Sequence, residues 1–138
     1  MNGEKIVRAE DVMKPDFVLI DGMATVKDAL DAVREKKARC IVVKKRHDDD
    51  EYGILLFSDI AKKVIAGRHA PERVNVYEIM SKPVISVRPN MDVRYIARLF
   101  EMFGLNMAPV LHRSEVMGVV GYEDIVMGVS RDCPTITE

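Results

Sequence analysis

A displacement of 67 residues lays Val7–Val43 on Val74–Val110 without a gap. A chain that repeats itself must build the same unit twice, so this feature constrains the fold before any local pattern does. The repeat is carried by chemistry more than by identity. Only four of the 37 pairs are identical: Val7/Val74, Met13/Met80, Val26/Val93 and Val43/Val110. Yet Asp11-Val12-Met13 meets Glu78-Ile79-Met80, and Phe17-Val18-Leu19-Ile20 meets Val84-Ile85-Ser86-Val87. After a loop two residues longer in the first copy, the displacement becomes 65. Gly53-Ile54-Leu55-Leu56-Phe57-Ser58-Asp59-Ile60 then meets Gly118-Val119-Val120-Gly121-Tyr122-Glu123-Asp124-Ile125, with three of eight identical.

The periodicity inside each copy assigns the elements. Val26, Ala29, Leu30 and Val33 fall at i, i+3, i+4 and i+7, and Val93, Ile96, Ala97 and Phe100 take the same places, one apolar stripe per helix. Thr25 and Asp92 precede these helices as N-caps, and Gly104 is placed to end the second in a left-handed conformation. Short strands are expected at Cys40–Val43 and Ala108–Leu111. Pro109 lacks an N–H, so its strand should begin there or lie at an edge. Each Gly-led apolar segment then runs into an Asp at a helix start. Each half thus reads β-α-β-β-α, its two central strands forming a hairpin. This is an α/β (α+β) chain with repeat 1 at 7–67, a linker at 68–78, repeat 2 at 79–130 and a tail at 131–138.

Lys+Arg number 21 and Asp+Glu 22, for a net charge of −1, which excludes the basic stripe of a general nucleic-acid binder. Uninterrupted apolar runs reach only four residues, far short of the ~20 that span a bilayer. The start, Met1-Asn2-Gly3-Glu4-Lys5, has no apolar signal region, and two cysteines, Cys40 and Cys133, build no disulfide framework. A cytoplasmic chain that stands alone is the expectation.

Catalytic and metal motifs are missing. Ser86, Ser114 and Ser130 have no recognisable base partner in sequence, and there is neither a Gly-x-Ser-x-Gly nor a glycine-rich phosphate loop. His47, His69 and His112 share no ligand spacing. The run Lys44–Glu51 lacks the alternating acids of a calcium loop and reads as a solvated hairpin tip. Among nine methionines, Met102, Met107, Met117 and Met127 fall in or near apolar faces of the second repeat, where core filling is expected and a self-association face is the alternative.

Met13…Pro15 and Met80…Pro83 ahead of the first strands, Met107-Ala108-Pro109-Val110, and the two Gly…Asp segments together resemble a tandem pair of CBS domains, the Bateman module. The resemblance covers roughly residues 7–130. It implies two repeats packed about a pseudo-twofold axis, with clefts that take adenosine-containing ligands such as AMP, ADP, ATP, NAD or S-adenosylmethionine. Asp59 and Asp124 would accept the ribose hydroxyls, Phe57 and Tyr122 would stack or pack nearby, and Phe17, Val18, Val84, Ile85, Ile41 and Ala108 would lie near the base. Lys62, Lys63, Arg68, His69 and Arg131 lie where phosphates are reached.

The family commonly carries Ser or Thr three residues after the motif Gly, whereas this chain has Leu56 and Gly121 there. Leu56 fills volume without a polar atom. Gly121 leaves space and admits a close backbone approach. At most one good nucleotide site is expected, with Asp124 contributing more than Asp59. The resulting expectation is a non-catalytic regulatory module, a homodimer that signals to an effector protein. The alternative is a ligand-free dimerisation or docking module whose clefts are filled by its own side chains.

Overall fold

The structure, a computed structural model, describes residues 5–132. Cys133 and the remainder of the tail lie outside the described residues. The fold is mixed α/β, and the chain divides into two compact units, Asp16–Val84 and Met1–Pro15 with Ile85–Glu138.

In the Asp16–Val84 unit, β1 (Phe17–Ile20) leads through α2 (Val26–Lys36) into β2 (Cys40–Val43), which pairs parallel to β1. The parallel pair needs that crossover, and α2 supplies it. β3 (Gly53–Leu55) returns antiparallel to β2 and runs into α3 (Phe57–Ile60), whose path widens into a π-helical turn at Ala61–Ile65. A 3₁₀ turn at Pro71–Arg73 precedes α4 (Val76–Ile79). Val18, Val26, Ile41, Leu55, Val64 and Val76 form the core of this unit. Thr25 caps α2 as expected: its Oγ1 accepts the Asp28 N–H at 3.0 Å, and Asp28 reaches back to the Thr25 N–H at 3.1 Å.

The other unit is built from α1 (Ala9–Val12), α5 (Val93–Phe103), the hairpin β4 (Met107–His112) and β5 (Glu115–Gly121), and α6 (Tyr122–Asp132). Val12, Ile96, Phe100, Val110 and Val120 lie in its core. Asp92 caps α5 by accepting the Arg94 N–H at 2.9 Å, and Gly104 ends it at φ 65°.

The expected strand Val84–Val87 is absent as a strand. Only Val87 makes a bridge, parallel to Val110, with Val87 N–H donating to the Pro109 carbonyl at 3.0 Å and Leu111 N–H to Val87 at 2.9 Å. Continuing that ladder toward Ile85 requires a donor at residue 109, and Pro109 has none. Pro109 nevertheless sits inside β4 rather than at its start, because its nitrogen faces the Val87 side and its pairing with Val119 asks for no N–H.

The repeat shows most clearly in backbone hydrogen bonds. Val76 and Tyr77 N–H donate to Ala24 and Gly22, as Ala9 and Glu10 N–H donate to Met91 and Pro89. Ser81 bridges Ile54 in one unit, and Lys14 bridges Val119 in the other, again at displacements of 67 and 65. Each unit therefore holds the strands of one repeat together with the leading helix of the other. The matched acids Asp11 and Glu78 reach back from α1 and α4 to the N–H groups of Arg8 and Asn75 at 2.9 and 2.8 Å.

Two readings of side-chain placement are corrected. Met102, Met117 and Met127 are exposed rather than core-filling. Met102 sits two residues beyond Phe100, about 200° around the helix from the buried stripe, so it faces outward. The Lys44–Glu51 run is not wholly a solvated tip. The Asp50 side chain is 8% exposed, held by Arg46 Nε at 2.9 Å and Lys82 Nζ at 2.8 Å.

Candidate functional site

Parallel β1 and β2 begin at the same end of their sheet, and antiparallel β3 finishes there. This register aligns Val18 with Ile41 and Ile41 with Leu55, so Phe17, Val18, Ile41, Phe57 and Asp59 gather at one sheet end. Val18 and Ile41 are buried in the core of the unit. Phe17 is half-buried with Lys36 Nζ 5.0 Å above its ring, and Phe57 is exposed. Val84 belongs to the same unit and donates its N–H to Tyr52 at 2.9 Å. At the start of β1 and β2, Arg39 Nε donates to Asp16 Oδ2 at 2.6 Å.

Asp59 stands at the third position of α3 and keeps a partly open carboxylate. Its side chain is 19% exposed, Oδ2 accepts the Leu56 N–H over a long 3.4 Å, and Lys63 Nζ is 3.9 Å from Oδ1. Leu56 supplies no side-chain hydrogen-bonding group here, as read from the sequence. The loosely tied carboxylate is an acceptor with capacity left for two hydroxyls.

The corresponding end of the other unit is more closed. Ala108 pairs with Val120 and Met107 with Gly121, and Ala108 is fully buried. Asp124 is 6% exposed, and its Oδ2 takes the Gly121 N–H at 2.8 Å. A Cβ at Gly121 would meet Met107 Cε at 3.1 Å, so the space that glycine leaves is taken by a thioether. Tyr122 stands edge-on to buried Phe100, centroids 5.1 Å apart at 86°. Ile85 is half-buried two residues before the Val87 bridge. Asp124 is therefore the less accessible of the two aspartates, because its own helix start consumes it.

Burial pushes the Cys40 thiol up to about 12, which leaves it unreactive. No group of His, Cys, Asp and Glu among the described residues is arranged to hold a metal ion, and no described helix is long and apolar enough to cross a membrane. Met107 as the filler beside Gly121, and Lys82 as the partner of Asp50, were not singled out as site residues in the sequence. Lys82 lies 32 positions from Asp50, and the bridge of Ser81 to Ile54 with the Val84 N–H on Tyr52 brings them together.

A family model described as CBS domain matches residues 9–66 and again 76–131. A hexameric CBS-CP12 protein from bloom-forming cyanobacteria superposes with TM-score 0.87 at 37% identity, over 95% of this chain and 77% of that one. The CBS domain pair of protein MJ0100, solved with 5′-methylthioadenosine and S-adenosyl-L-methionine, superposes with TM-score 0.77. It is 20% identical over 92% of this chain and 98% of that one, a likeness of fold. Proteins of Methanocaldococcus jannaschii and Methanopyrus kandleri are 24% and 26% identical over 83% and 87% of this chain. The chain spans 62% and 61% of the length of these curated relatives.

Proposed function

Because the chain belongs to the CBS-domain family, we propose that it is a ligand-sensing regulatory module that binds an adenosine-containing small molecule and has no catalysis of its own. The observation that carries this reading is the Asp59 carboxylate, loosely held and partly open beside Phe17 and Phe57. A ribose presents two hydroxyl donors to such an acceptor, and burial of adenine against apolar residues supplies the remaining affinity. Asp59 is the ribose acceptor, with Phe17, Val18, Ile41, Phe57 and Val84 around the base. AMP, ADP, ATP, NAD and S-adenosylmethionine share this chemistry, and a relative of the same fold carries two adenosyl ligands. Binding regulates only if the ligand prefers one of two conformations, since equal affinity for both shifts nothing.

Asp124, Gly121, Tyr122, Ile85 and Ala108 form the second, weaker site of the proposal. Met107 in the space beside Gly121 favours the alternative there, a position filled from within that serves assembly. Tyr95, Met102 and Phe103 on α5, with Val126 and Met127 on α6, are exposed apolar groups that suit a homodimer or an effector protein. A fold relative assembles as a hexamer. Calorimetric titration with the five ligands tests the sensing reading. Saturable binding of at least one is expected, and no heat from any at millimolar concentration would leave assembly as the function.

A further inference from the structure

A separate cavity lies at the far end of the strands from Asp59. In the Asp16–Val84 unit, the C-terminal ends of β1 and β2 and helix α4 border an open recess of about 500 Å³. Its apolar lining includes Val43, Tyr77 and Met80, and its cations are Lys44, Arg46 and Lys82. Tyr77 N–H donates to the Gly22 carbonyl at 2.9 Å, which fastens the helix to the loop after β1. We propose that this cavity binds a small organic anion carrying a flat ring, its phosphate or carboxylate met by the three cations and its ring laid against Tyr77 and Met80.

Two arguments support it. The first is charge. Arg46 and Lys82 converge on one carboxylate, Asp50, which fixes their heads side by side. Lys44 has no ion-pair partner among the described residues, and the lining acid Asp21 already accepts the Met23 N–H at 2.8 Å. Three cations against two acids leave a local positive surplus, and charge-assisted bonds from fixed donors are the stronger kind.

The second is the contrast between the two units. The repeat places an equivalent cavity of about 390 Å³ in the other unit, lined by Glu10, Arg88, Leu111, His112 and Arg113 among others. At displacement 67, Leu111 stands for Lys44 and Glu10 for Tyr77. The fold is thus built equally well with an apolar group and an acid at these places. Lys44 and Tyr77 are not demanded by packing; they give this cavity a ring face and a further cation where the other, though it holds Arg88 and Arg113, has Glu10 and Leu111.

Amide-resolved NMR titration of the whole chain with phenyl phosphate, benzoate and inorganic phosphate tests the proposal. Phenyl phosphate or benzoate should give saturable shifts centred on Gly22, Lys44 and Tyr77, at lower concentration than inorganic phosphate. Lys44→Leu and Tyr77→Glu, each installing the residue the other repeat tolerates, should weaken that binding by about tenfold or more. Asp59→Ala should leave it unchanged. The proposal is overturned by the absence of saturable shifts, by equal shifts around Glu10 and Leu111, by inorganic phosphate binding as tightly as the ringed anions, or by loss on Asp59→Ala.

Discussion

Lys37 and Gly104 occupy one position in the two repeats and share one backbone conformation, φ 58° and φ 65°. Each ends its helix by donating its N–H to the carbonyl four residues back, Val33 or Phe100. A left-handed turn costs an L-residue with a Cβ roughly 1–2 kcal/mol that glycine does not pay, partly offset by glycine's freer unfolded chain. Lys37→Gly should therefore raise stability by about 0.5–1 kcal/mol, and Gly104→Ala should lower it by about 1 kcal/mol, read from urea midpoints. A stabilising Gly104→Ala would contradict the argument.

Gly128 on α6 lets that helix approach α1. A Cβ there would overlap Val12 Cγ1, which is itself buried. Gly128→Ala should cost about 1–3 kcal/mol, as overpacking does. Val12→Ala in the same chain should recover part of the loss, and a double-mutant cycle measures that coupling. Additive losses would place the strain elsewhere.

Local signals in the sequence led to local structure. The stripes Val26/Ala29 and Val93/Ile96/Phe100 are buried as expected, and Thr25, Asp92 and Gly104 cap where their chemistry suggested. What was not legible depends on distant partners. Asp50 reads as one of three solvated aspartates until Lys82 is brought beside it. The loss of the Val84–Val87 strand follows from a missing donor at Pro109, more than twenty positions away. At the candidate site, the sequence favours Asp124 over Asp59, because Gly121 leaves space that Leu56 fills. Their difference in accessibility comes from the 2.8 Å bond at Gly121 and the Met107 thioether, which no spacing encodes.

That difference separates two substitutions. Asp59→Ala should weaken adenosyl-ligand binding by about tenfold or more, the loss expected for a charge-assisted acceptor. Asp124→Ala should act mainly on folding, costing about 0.5–2 kcal/mol because the Gly121 N–H loses its partner. Calorimetry beside urea denaturation of both variants checks the split. Equal binding losses would return Asp124 to the ligand.

Acid should destabilise the protein through identifiable carboxylates. The Arg46 guanidinium, then the Lys82 ammonium, hold Asp50 well below its ordinary value of 3.8, and the Arg94 side chain lowers Asp92. A depressed folded-state value means the unfolded chain binds the proton more readily. Their stabilisation is therefore complete above the unfolded value near 3.8 and is lost as pH falls below it. Asp50→Asn should lower the urea midpoint at neutral pH, and the gap to the parent should narrow toward about pH 3. A gap that widens in acid would reverse the assignment.

The unit boundary also makes a prediction about fragments. Residues 16–84 contain α4, the Ser81–Ile54 bridge and Lys82, all of which a fragment ending at residue 67 lacks. The 16–84 fragment should show the more cooperative thermal transition by circular dichroism. Equal transitions would mean that α4 adds nothing to its unit.

The Arg8–Met13 segment carries a consequence for synthesis on the ribosome. The Asp16–Val84 unit is one continuous stretch and is complete once residue 84 has emerged. Helix α1 emerges before that unit, yet its hydrogen-bond acceptors at Pro89 and Met91 and the Lys14 partner Val119 emerge only after it. Until those partners emerge, Val12 and its neighbours wait with an apolar face uncovered while the Asp16–Val84 unit folds. Residues made before the Asp16–Val84 unit thus find their place after it, so translation speed through the second repeat sets how long that face is open to chaperones and to misassembly.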